Sequence, residues 1–346
     1  MPPTAPNPPL PPLPPAPPRQ SITKYVWYIL GALLFLVAGA AAASFLPALF
    51  THPSGTSPTS VSTTTPTPTD TEFGYPELVT IQGYTGLTED PYITSDEKYL
   101  LWDSAGGQQN SPELFYAKKI DYKTFVYVGK IQGVGGAAAP PAIDTAGNLY
   151  FGTQRYYASQ GTTIARGTFT DGVVTNVGPV EGISKPQVLG SMSASPSRDG
   201  IYLVFSDNSP RADGGITNPC LPPGVSHVVI ATKNTDGTFT RLANSDEIMK
   251  NVNTIGCITD LSYQPVLSAD NLEIFFTAPG FGGGPIWTSR RTSVTEPFGV
   301  AQPLDTGPGL SESGSISLDG KHYYYHHVTG SGPSDVHTAI YVLSRE

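Results

Sequence analysis

The chain has 346 residues, 28 acidic against 19 basic side chains, and a formal net charge of −9. This acidic balance argues against nucleic acid as a partner, and two cysteines are too few for a disulfide-rich scaffold or a four-cysteine zinc site. The abundance of Gly, Pro, Ser, Thr and Tyr is typical of an all-β secreted or surface domain that carries additional segments.

Residues 1–24 form a proline-rich tail. Proline fixes φ and removes the backbone donor, so residues 8–15, in which only Leu10 and Leu13 interrupt the prolines, predict extended polyproline II and no core. Two interpretations stay open, a docking ligand for an SH3-like aromatic groove and a stiff, disordered tail.

Residues 25–50 contain no charged side chain and predict one transmembrane helix. At about 1.5 Å per residue such a helix spans roughly 39 Å, more than the ~30 Å hydrocarbon core. Arg19 and Lys24 precede it, while Asp70 and Glu72 are the first charges after it, so the positive-inside rule places the N-terminus in the cytoplasm and the rest outside. The alternative is a cleaved signal peptide, suggested by the small residues 40–44.

Residues 51–72 are rich in Thr, Ser and Pro. Such a composition buries too little apolar surface to fold, and it predicts a semi-rigid linker that reaches about 70 Å at ~3.1 Å per residue. The linker would hold the following domain clear of the membrane.

From residue 73 to residue 346 the pattern has period two, with Gly, Asp and Asn turns, and predicts an all-β domain with a doubtful helical turn at 245–250. A strand–turn–strand–loop–strand unit recurs five times. Its turn residues are Asp96, Ala146, Asp199, Asp270 and Asp319. An aromatic residue follows six positions later in four copies and five positions later in the second, at Trp102, Phe151, Phe205, Phe276 and Tyr325.

Two copies, residues 265–276 and 315–325, resemble the Ser-Pro-Asp-Gly repeats of TolB-like, WD-repeat-like β-propellers, and Ser197-Arg198-Asp199-Gly200 is another match. The resemblance covers about residues 77–346. It implies a bacterial propeller that serves as a protein-binding platform or as an accessory domain of an enzyme. The second copy, which has Ala146 at the turn position, departs from the pattern.

Five copies predict a five-bladed β-propeller. Third strands are expected at 114–118, 163–166, 227–232, 286–290 and 339–345, and fourth strands at 124–131, 173–180, 238–243 and 298–304. The fifth copy has no fourth strand, whereas residues 77–83 are strand-like and unassigned. We therefore predict that the N-terminal strand closes the ring, which removes the open edge.

The long loops of the five blades are expected on one face of the disc, at 104–112, 154–161, 208–226, 278–285 and 327–338. Loops on a rigid scaffold favour binding, so we expect a protein or glycan ligand on this long-loop face. Cys220 and Cys257 belong to the same face and, outside the cytoplasm, predict a disulfide worth roughly 4 kcal/mol.

Glu89 and Asp90 precede the first strand of blade one, and Glu312 holds the matching place in the neighbouring blade five. We predict a ligand-binding cluster at the mouth of the channel, completed by Asp260, Tyr263 and Gln264 of blade four. Its acids would suit a cation or general acid–base work.

Three histidines lie near Glu312 in the fifth copy, namely His326, His327 and His337. Imidazole and carboxylate groups are common ligands of transition metals, so a metal site is one interpretation. Their spacing matches no known metal pattern. We predict neither a metal nor a cofactor.

The leading hypothesis is a single-pass, cytoplasm-in cell-membrane protein that displays the propeller as a protein- or glycan-binding module. The alternative is an extracytoplasmic carbohydrate hydrolase acting at the channel, which needs acids from several blades. The first strand of blade three, 190–197, has none, and blade two offers only Asp144 near the far turn. We therefore predict no catalytic residue, and neither the ligand nor the oligomeric state follows from the sequence.

Overall fold

The computed structural model describes residues 72–104, 112–185, 190–209, 225–255, 258–259, 262–278, 284–329 and 337–346. These residues form a five-bladed β-propeller, which confirms the predicted fold class. Within them, no helix has the length and apolar character that a membrane span needs. The predicted tail and membrane helix, and the linker up to residue 71, lie outside the described residues.

The strands before and in the first two blades are β1 Glu77–Leu78, β2 Thr80–Gln82, β3 Glu89–Ile93, β4 Tyr99–Ser104, β5 Glu113–Lys119, β6 Thr124–Lys130, β7 Pro141–Ile143, β8 Asn148–Gly152, β9 Ile164–Thr170 and β10 Val173–Pro179. Blade three and the hairpin after it contain β11 Gly190–Pro196, β12 Tyr202–Ser209, β13 Val225–Lys233, β14 Phe239–Arg241, β15 Thr254–Ile255 and β16 Ile258–Thr259. The last two blades contain β17 Tyr263–Leu267, β18 Glu273–Thr277, β19 Ile286–Arg290, β20 Gln302–Pro303, β21 Leu310–Ile316, β22 His322–Thr329 and β23 His337–Ser344.

Each blade is an antiparallel meander whose first strand lies at the central axis. The five inner strands, β3, β7, β11, β17 and β21, contact one another in ring order, and β21 packs beside β3 to close the ring. We call the channel end where these strands begin the mouth. It belongs to the long-loop face, while the short turns after the inner strands lie on the other face.

Ring closure by the N-terminal strand is confirmed. Strand β1 pairs antiparallel with β23 as the fourth strand of blade five, with Glu77 opposite Val342. Val79 continues this pairing by donating its amide to the Ile340 carbonyl at 2.9 Å. Strand β2 then pairs parallel with β6, so the same segment also adds an outer strand to blade one.

In the repeated turn, a side-chain hydroxyl both donates and accepts a hydrogen bond. In blade four, Ser268 donates to Asp270 at 2.6 Å and accepts from the Glu273 amide at 2.9 Å. In blade two, Asp144 stands at the serine position and acts as an acceptor, because its Oδ1 accepts from the amides of Ala146 and Asn148. The carboxylate of Asp144 therefore replaces the turn aspartate that the second copy lacks, from the position that serine holds in blade four.

The apolar core lies between the blades. The five aromatic residues that follow the turns are at most 1% exposed, and they are Trp102, Phe151, Phe205, Phe276 and Tyr325. Rings from neighbouring blades also touch, as Phe275 of blade four stacks on Tyr323 of blade five at 4.5 Å. Burial of such rings stabilises the blade interfaces.

The helical turn raised at 245–250 is present as a short helix, α2 Ser245–Ile248, and a further helix, α1 Tyr157–Gln160, was not expected. The fourth strand of blade four is shorter than predicted. Pro303 has no amide to donate, and Phe298 donates its amide to Ile248 instead of pairing with β19.

Candidate functional site

The central channel is almost filled. The cavity between the inner strands is about 20 Å³, which is room for about one water molecule. At the short-turn end, Arg198 of blade three lies 5% exposed over the Tyr92 ring and donates to the carbonyls of Ile93 in blade one and Ile316 in blade five. Among the described residues, the inner strands and Arg198 therefore leave no open passage along the axis.

Bulges in the inner strands direct side chains toward the mouth. Each bulge places a residue other than glycine in the left-handed region, with φ between 47° and 53°, at Asp90, Ser193, Gln264 and Ser313. These four residues hold equivalent positions in blades one, three, four and five, and Pro140 holds that position in blade two. A bulge re-aims the side chains beside it, so the mouth has a repeated geometry.

The bulge amides join neighbouring blades through a repeated hydrogen bond. Three of them donate to a side chain that follows the buried aromatic residue of the preceding blade: Gln264 to Ser206 at 3.2 Å, Ser313 to Thr277 at 3.1 Å and Asp90 to His326 Nδ1 at 3.1 Å. In blade one the acceptor position is Asp103, but the residue that would donate is Pro140, which has no amide hydrogen. Asp103 is 1% exposed, and it shares a side-chain hydrogen bond with Asp90 instead.

Five of the predicted site residues come together at the mouth, namely Glu89, Asp90, Tyr263, Gln264 and Glu312. Gln264 donates to Asp90 Oδ1 at 2.9 Å, and the Tyr263 hydroxyl donates to Glu312 Oε1 at 2.6 Å. One expectation is wrong in detail. Glu89 and Asp90 lie within β3 and not before it, because pairing with β4 continues past the bulge to Glu89.

Two further residues complete this cluster. His326 lies between two acids, with Nδ1 3.5 Å from Asp90 Oδ1 and Nε2 3.8 Å from Glu312 Oε2. Asp103 lies opposite Glu89 in the β3–β4 register. Sequence reasoning missed Asp103 and weighed His326 only as a metal ligand beside Glu312, although both directly follow a repeat aromatic and so occupy the position of Ser206 and Thr277. We call Glu89, Asp90, Asp103, Glu312 and His326 the mouth cluster.

Burial controls the protonation of the mouth cluster. It raises the pKa of the Glu89 carboxyl to about 7, an effect opposed by His326 and supported by Asp90 and Glu312. Burial also raises the pKa of Asp103 well above its usual range, with the carboxylates of Asp90 and Glu89 adding to the effect. The Asp90 amide donates to His326 Nδ1, and His326 Nε2 lies on the side of Glu312.

The other predicted site residues do not join the cluster. His327 points to the other side of β22, as strand alternation requires, where Nε2 donates to the Pro308 carbonyl and Nδ1 accepts from Ser311. His337 is exposed at the start of β23. In the described part of the chain, no three His, Cys, Asp or Glu side chains are grouped in a way that would hold a metal ion. Asp260, Cys220 and Cys257, with the predicted disulfide, lie outside the described residues.

Comparison with known proteins supports the fold and leaves the activity open. No family model matches the sequence, and no curated protein does. Among solved structures, the chain is similar to Zg3597, a family 117 glycoside hydrolase from Zobellia galactanivorans, with 11% identity over 79% of this chain and 90% of that chain and a TM-score of 0.51.

Two weaker similarities point to proteins of other kinds. A protein of unknown function from Dyadobacter fermentans shares 10% identity over 80% of this chain and 99% of that chain, with a TM-score of 0.47. TolB from Acinetobacter baumannii shares 16% identity over 75% of this chain and 54% of that chain, with a TM-score of 0.38. The class that fold and site define is a five-bladed β-propeller with an acidic mouth. Function must be argued from the mouth itself.

Proposed function

We propose that this protein is a membrane-anchored, extracytoplasmic β-propeller that acts as a protein- or glycan-binding module. The observation that carries the proposal is the convergence of acidic and polar side chains from blades one, four and five at the mouth of a filled channel. The anchor and the orientation rest on the uncharged segment 25–50 and on the charges that flank it.

The mouth suits a ligand that donates hydrogen bonds. The side chains of Asp90 and Glu312 are 12% and 20% exposed, so their oxygens reach solvent although each is fixed by a neighbour. Carboxylates accept hydrogen bonds from hydroxyl and N–H groups, which glycans and proteins both supply. A rigid, preformed set of acceptors reduces the ordering cost of binding.

Binding is tested with residues 73–346, which contain the whole described ring from β1 to β23. We expect this fragment to retain an envelope protein or a polysaccharide in a pull-down, and the double variant Glu89→Gln, Asp90→Asn to lose it while still showing a cooperative melting transition. Lys321→Gln, on the short-turn face, is the control. Equal capture by the wild type and the double variant would contradict a role for the mouth.

The predicted topology has its own test. Protease added to intact cells or spheroplasts is expected to remove the propeller and to spare the proline-rich tail. A protected C-terminal domain would contradict the orientation.

A carbohydrate hydrolase is the second candidate, and one observation favours it. Glu89, with a pKa of about 7, is partly protonated at neutral pH beside the acids Asp90 and Glu312. A protonated and an ionised carboxyl group close together are what glycoside hydrolysis uses. Release of reducing sugar from a polysaccharide by the wild type, lost in Glu89→Gln, would favour this function over simple binding.

A further inference from the structure

The third strand of every blade ends at an equivalent position. There, one backbone amide donates to a carbonyl of the turn that follows the inner strand, at 2.7–2.9 Å. The donors in blades one to five are Lys119, Phe169, Lys233, Arg291 and Arg345. Four blades therefore carry a long basic side chain at this position, and blade two carries an aromatic ring.

In three blades the basic side chain binds the turn of its own blade. The pairs are Lys119 Nζ with Glu97 Oε2 at 2.7 Å, Arg291 Nε with the Asn271 carbonyl at 2.9 Å and Arg345 Nε with the Gly320 carbonyl at 2.7 Å. Both arginines also lie over an aromatic ring, Arg291 over Phe298 at 4.4 Å and Arg345 over Phe73 at 4.5 Å. A cation beside the turn is thus a repeated feature of the short-turn face.

Blade two lacks the basic side chain, and its turn is also shorter. The amide of Asp144 donates to the carbonyl of Asn148, four positions on, whereas the corresponding bonds of the other blades span five positions. A groove of about 250 Å³ lies between this turn and that of blade one. We call it the turn groove, and its lining includes Asp96, Tyr99, Ile143, Phe169 and Asp171.

Two aromatic rings from adjacent blades line the turn groove. Tyr99 and Phe169 are partly buried and meet edge to face, with 6.5 Å between their centroids. Tyr116 contacts both rings, at 5.6 Å and 6.0 Å, and holds them in place. The groove therefore offers fixed aromatic surface.

Acids outnumber bases around the turn groove. Asp96, Asp144 and Asp171 line it, and Lys98 is the one basic residue of the lining. Lys98 Nζ lies 2.9 Å from Asp96 Oδ2, and its side chain is 69% exposed, so it stays at the rim. The Asp144 carboxylate is held by its own turn. Asp171 is exposed, with Oδ1 3.5 Å from the Tyr99 hydroxyl, and is the acid that a ligand would meet first.

We propose that the turn groove binds the guanidinium group of an arginine side chain from a partner protein. This site lies on the short-turn face and is separate from the mouth. The bound arginine would supply to blade two the cation that the other four blades carry themselves. Its plane would lie against Tyr99 and Phe169, and its N–H groups would donate to the Asp171 carboxylate.

The size and chemistry of the turn groove favour this ligand over others. Sites for drug-sized ligands have about 300–1,000 Å³, so a groove of about 250 Å³ suits one side chain better than an oligosaccharide. A lysine ammonium is a more strongly hydrated point charge that does not stack as a plane, so it should bind less tightly. Arg291 and Arg345 show that this chain already combines a guanidinium, a ring and a turn in this way.

The test is a calorimetric titration of the full-length protein in detergent with Nα-acetyl-arginine methylamide. Saturable binding in the millimolar range is expected for so small a ligand. The citrulline analogue has nearly the same shape without the charge and should not bind. Asp171→Asn should weaken binding about tenfold, because it replaces an ionised acceptor by a neutral one. Asparagine tolerates the φ of 45° at this position, so the turn is kept.

Three further variants locate the site. Asp121→Asn, in the hairpin turn between β5 and β6 of blade one, is the matched control and should bind like the wild type. Phe169→Arg restores the basic residue of the repeat and should block the groove, so that the arginine compound binds at least tenfold more weakly. The mouth variant Glu89→Gln, Asp90→Asn should bind it unchanged. Thermal melting shows which variants fold, and Asp171→Asn decides if Phe169→Arg does not.

The inference is overturned if the arginine compound shows no saturable binding, if citrulline binds as well, or if Asp171→Asn keeps the wild-type affinity. Loss of binding in the mouth variant would overturn it as well. Equally tight binding of Nα-acetyl-lysine methylamide would reject the guanidinium. Free arginine that binds far more tightly than the blocked compound would reject a protein side chain as the ligand. None of these results bears on the proposed binding role of the mouth except the loss in the mouth variant, which would support it.

Discussion

The side chain of Gln264 in blade four donates a hydrogen bond to Asp90 in blade one, with 2.9 Å between Nε2 and Oδ1. The two blades are not neighbours, because blade five lies between them. Both residues occupy bulges in the left-handed region, which direct them to the axis. The mouth is thus held by a bond across the ring in addition to the contacts between adjacent blades.

Replacing Gln264 by Glu should destabilise the protein by about 1–3 kcal/mol at pH 8, because a carboxylate would replace the donor that Asp90 requires. The loss should shrink at pH 5, where the new acid can take up a proton. Urea unfolding at both pH values measures it. Gln302→Glu, at an exposed position in β20, is the control and should change little; a similar loss there would contradict the special role of Gln264.

Arg198 is expected to stabilise the ring from the opposite end. Arg198→Met keeps the stem but leaves the carbonyls of Ile93 and Ile316 without this donor, which should cost about 2–4 kcal/mol. Denaturant unfolding of this variant beside Arg155→Met, an exposed arginine in blade two, gives the comparison. Equal unfolding midpoints for the two variants would show that the hydrogen bonds of Arg198 contribute nothing to stability.

The N-terminal strand should be needed for stability although it lies next to a linker. Phe73 contacts Phe275 and lies under the Arg345 guanidinium at 4.5 Å, and β1 pairs with β23. A chain that begins at Tyr84 should melt roughly 10 °C or more below one that begins at Phe73, since it loses several kcal/mol of packing and pairing. Equal melting temperatures would contradict closure by this strand.

Glu89 should make the fold less stable as the pH rises. Its pKa is about 7 in the folded protein against a usual 4.5, so the folded state holds a proton that the unfolded chain releases. Stability should therefore fall between about pH 5 and pH 8, by up to ~3 kcal/mol from this group. Asp103 acts in the same direction.

The measurement is the unfolding midpoint from pH 5 to pH 8. Glu89→Gln should flatten the slope, whereas Glu296→Gln, an exposed acid in the connection between β19 and β20 of blade four, should not. A slope that Glu89→Gln leaves unchanged would show that Glu89 ionises normally.

Local information was enough for much of the fold. The period-two pattern, the turn residues and the aromatic residue at a fixed distance are short-range features, and each repeat carries them itself. They predicted five blades, the closing strand at 77–83 and the common position of Glu89 and Glu312, because equivalent residues of a repeat occupy equivalent places in the ring.

The contacts that define the site were decided by the closed ring. Gln264 and Asp90 are 174 positions apart, and Arg198 and Ile316 are 118 apart, so no local pattern links them. Asp103 lacks the backbone donor of the repeated pattern because Pro140 stands in the next blade, and no local pattern pairs these two residues. Closure of the ring sets which side chains meet at the axis, and burial there sets which carboxyl groups keep their protons; both are properties of the assembled blades.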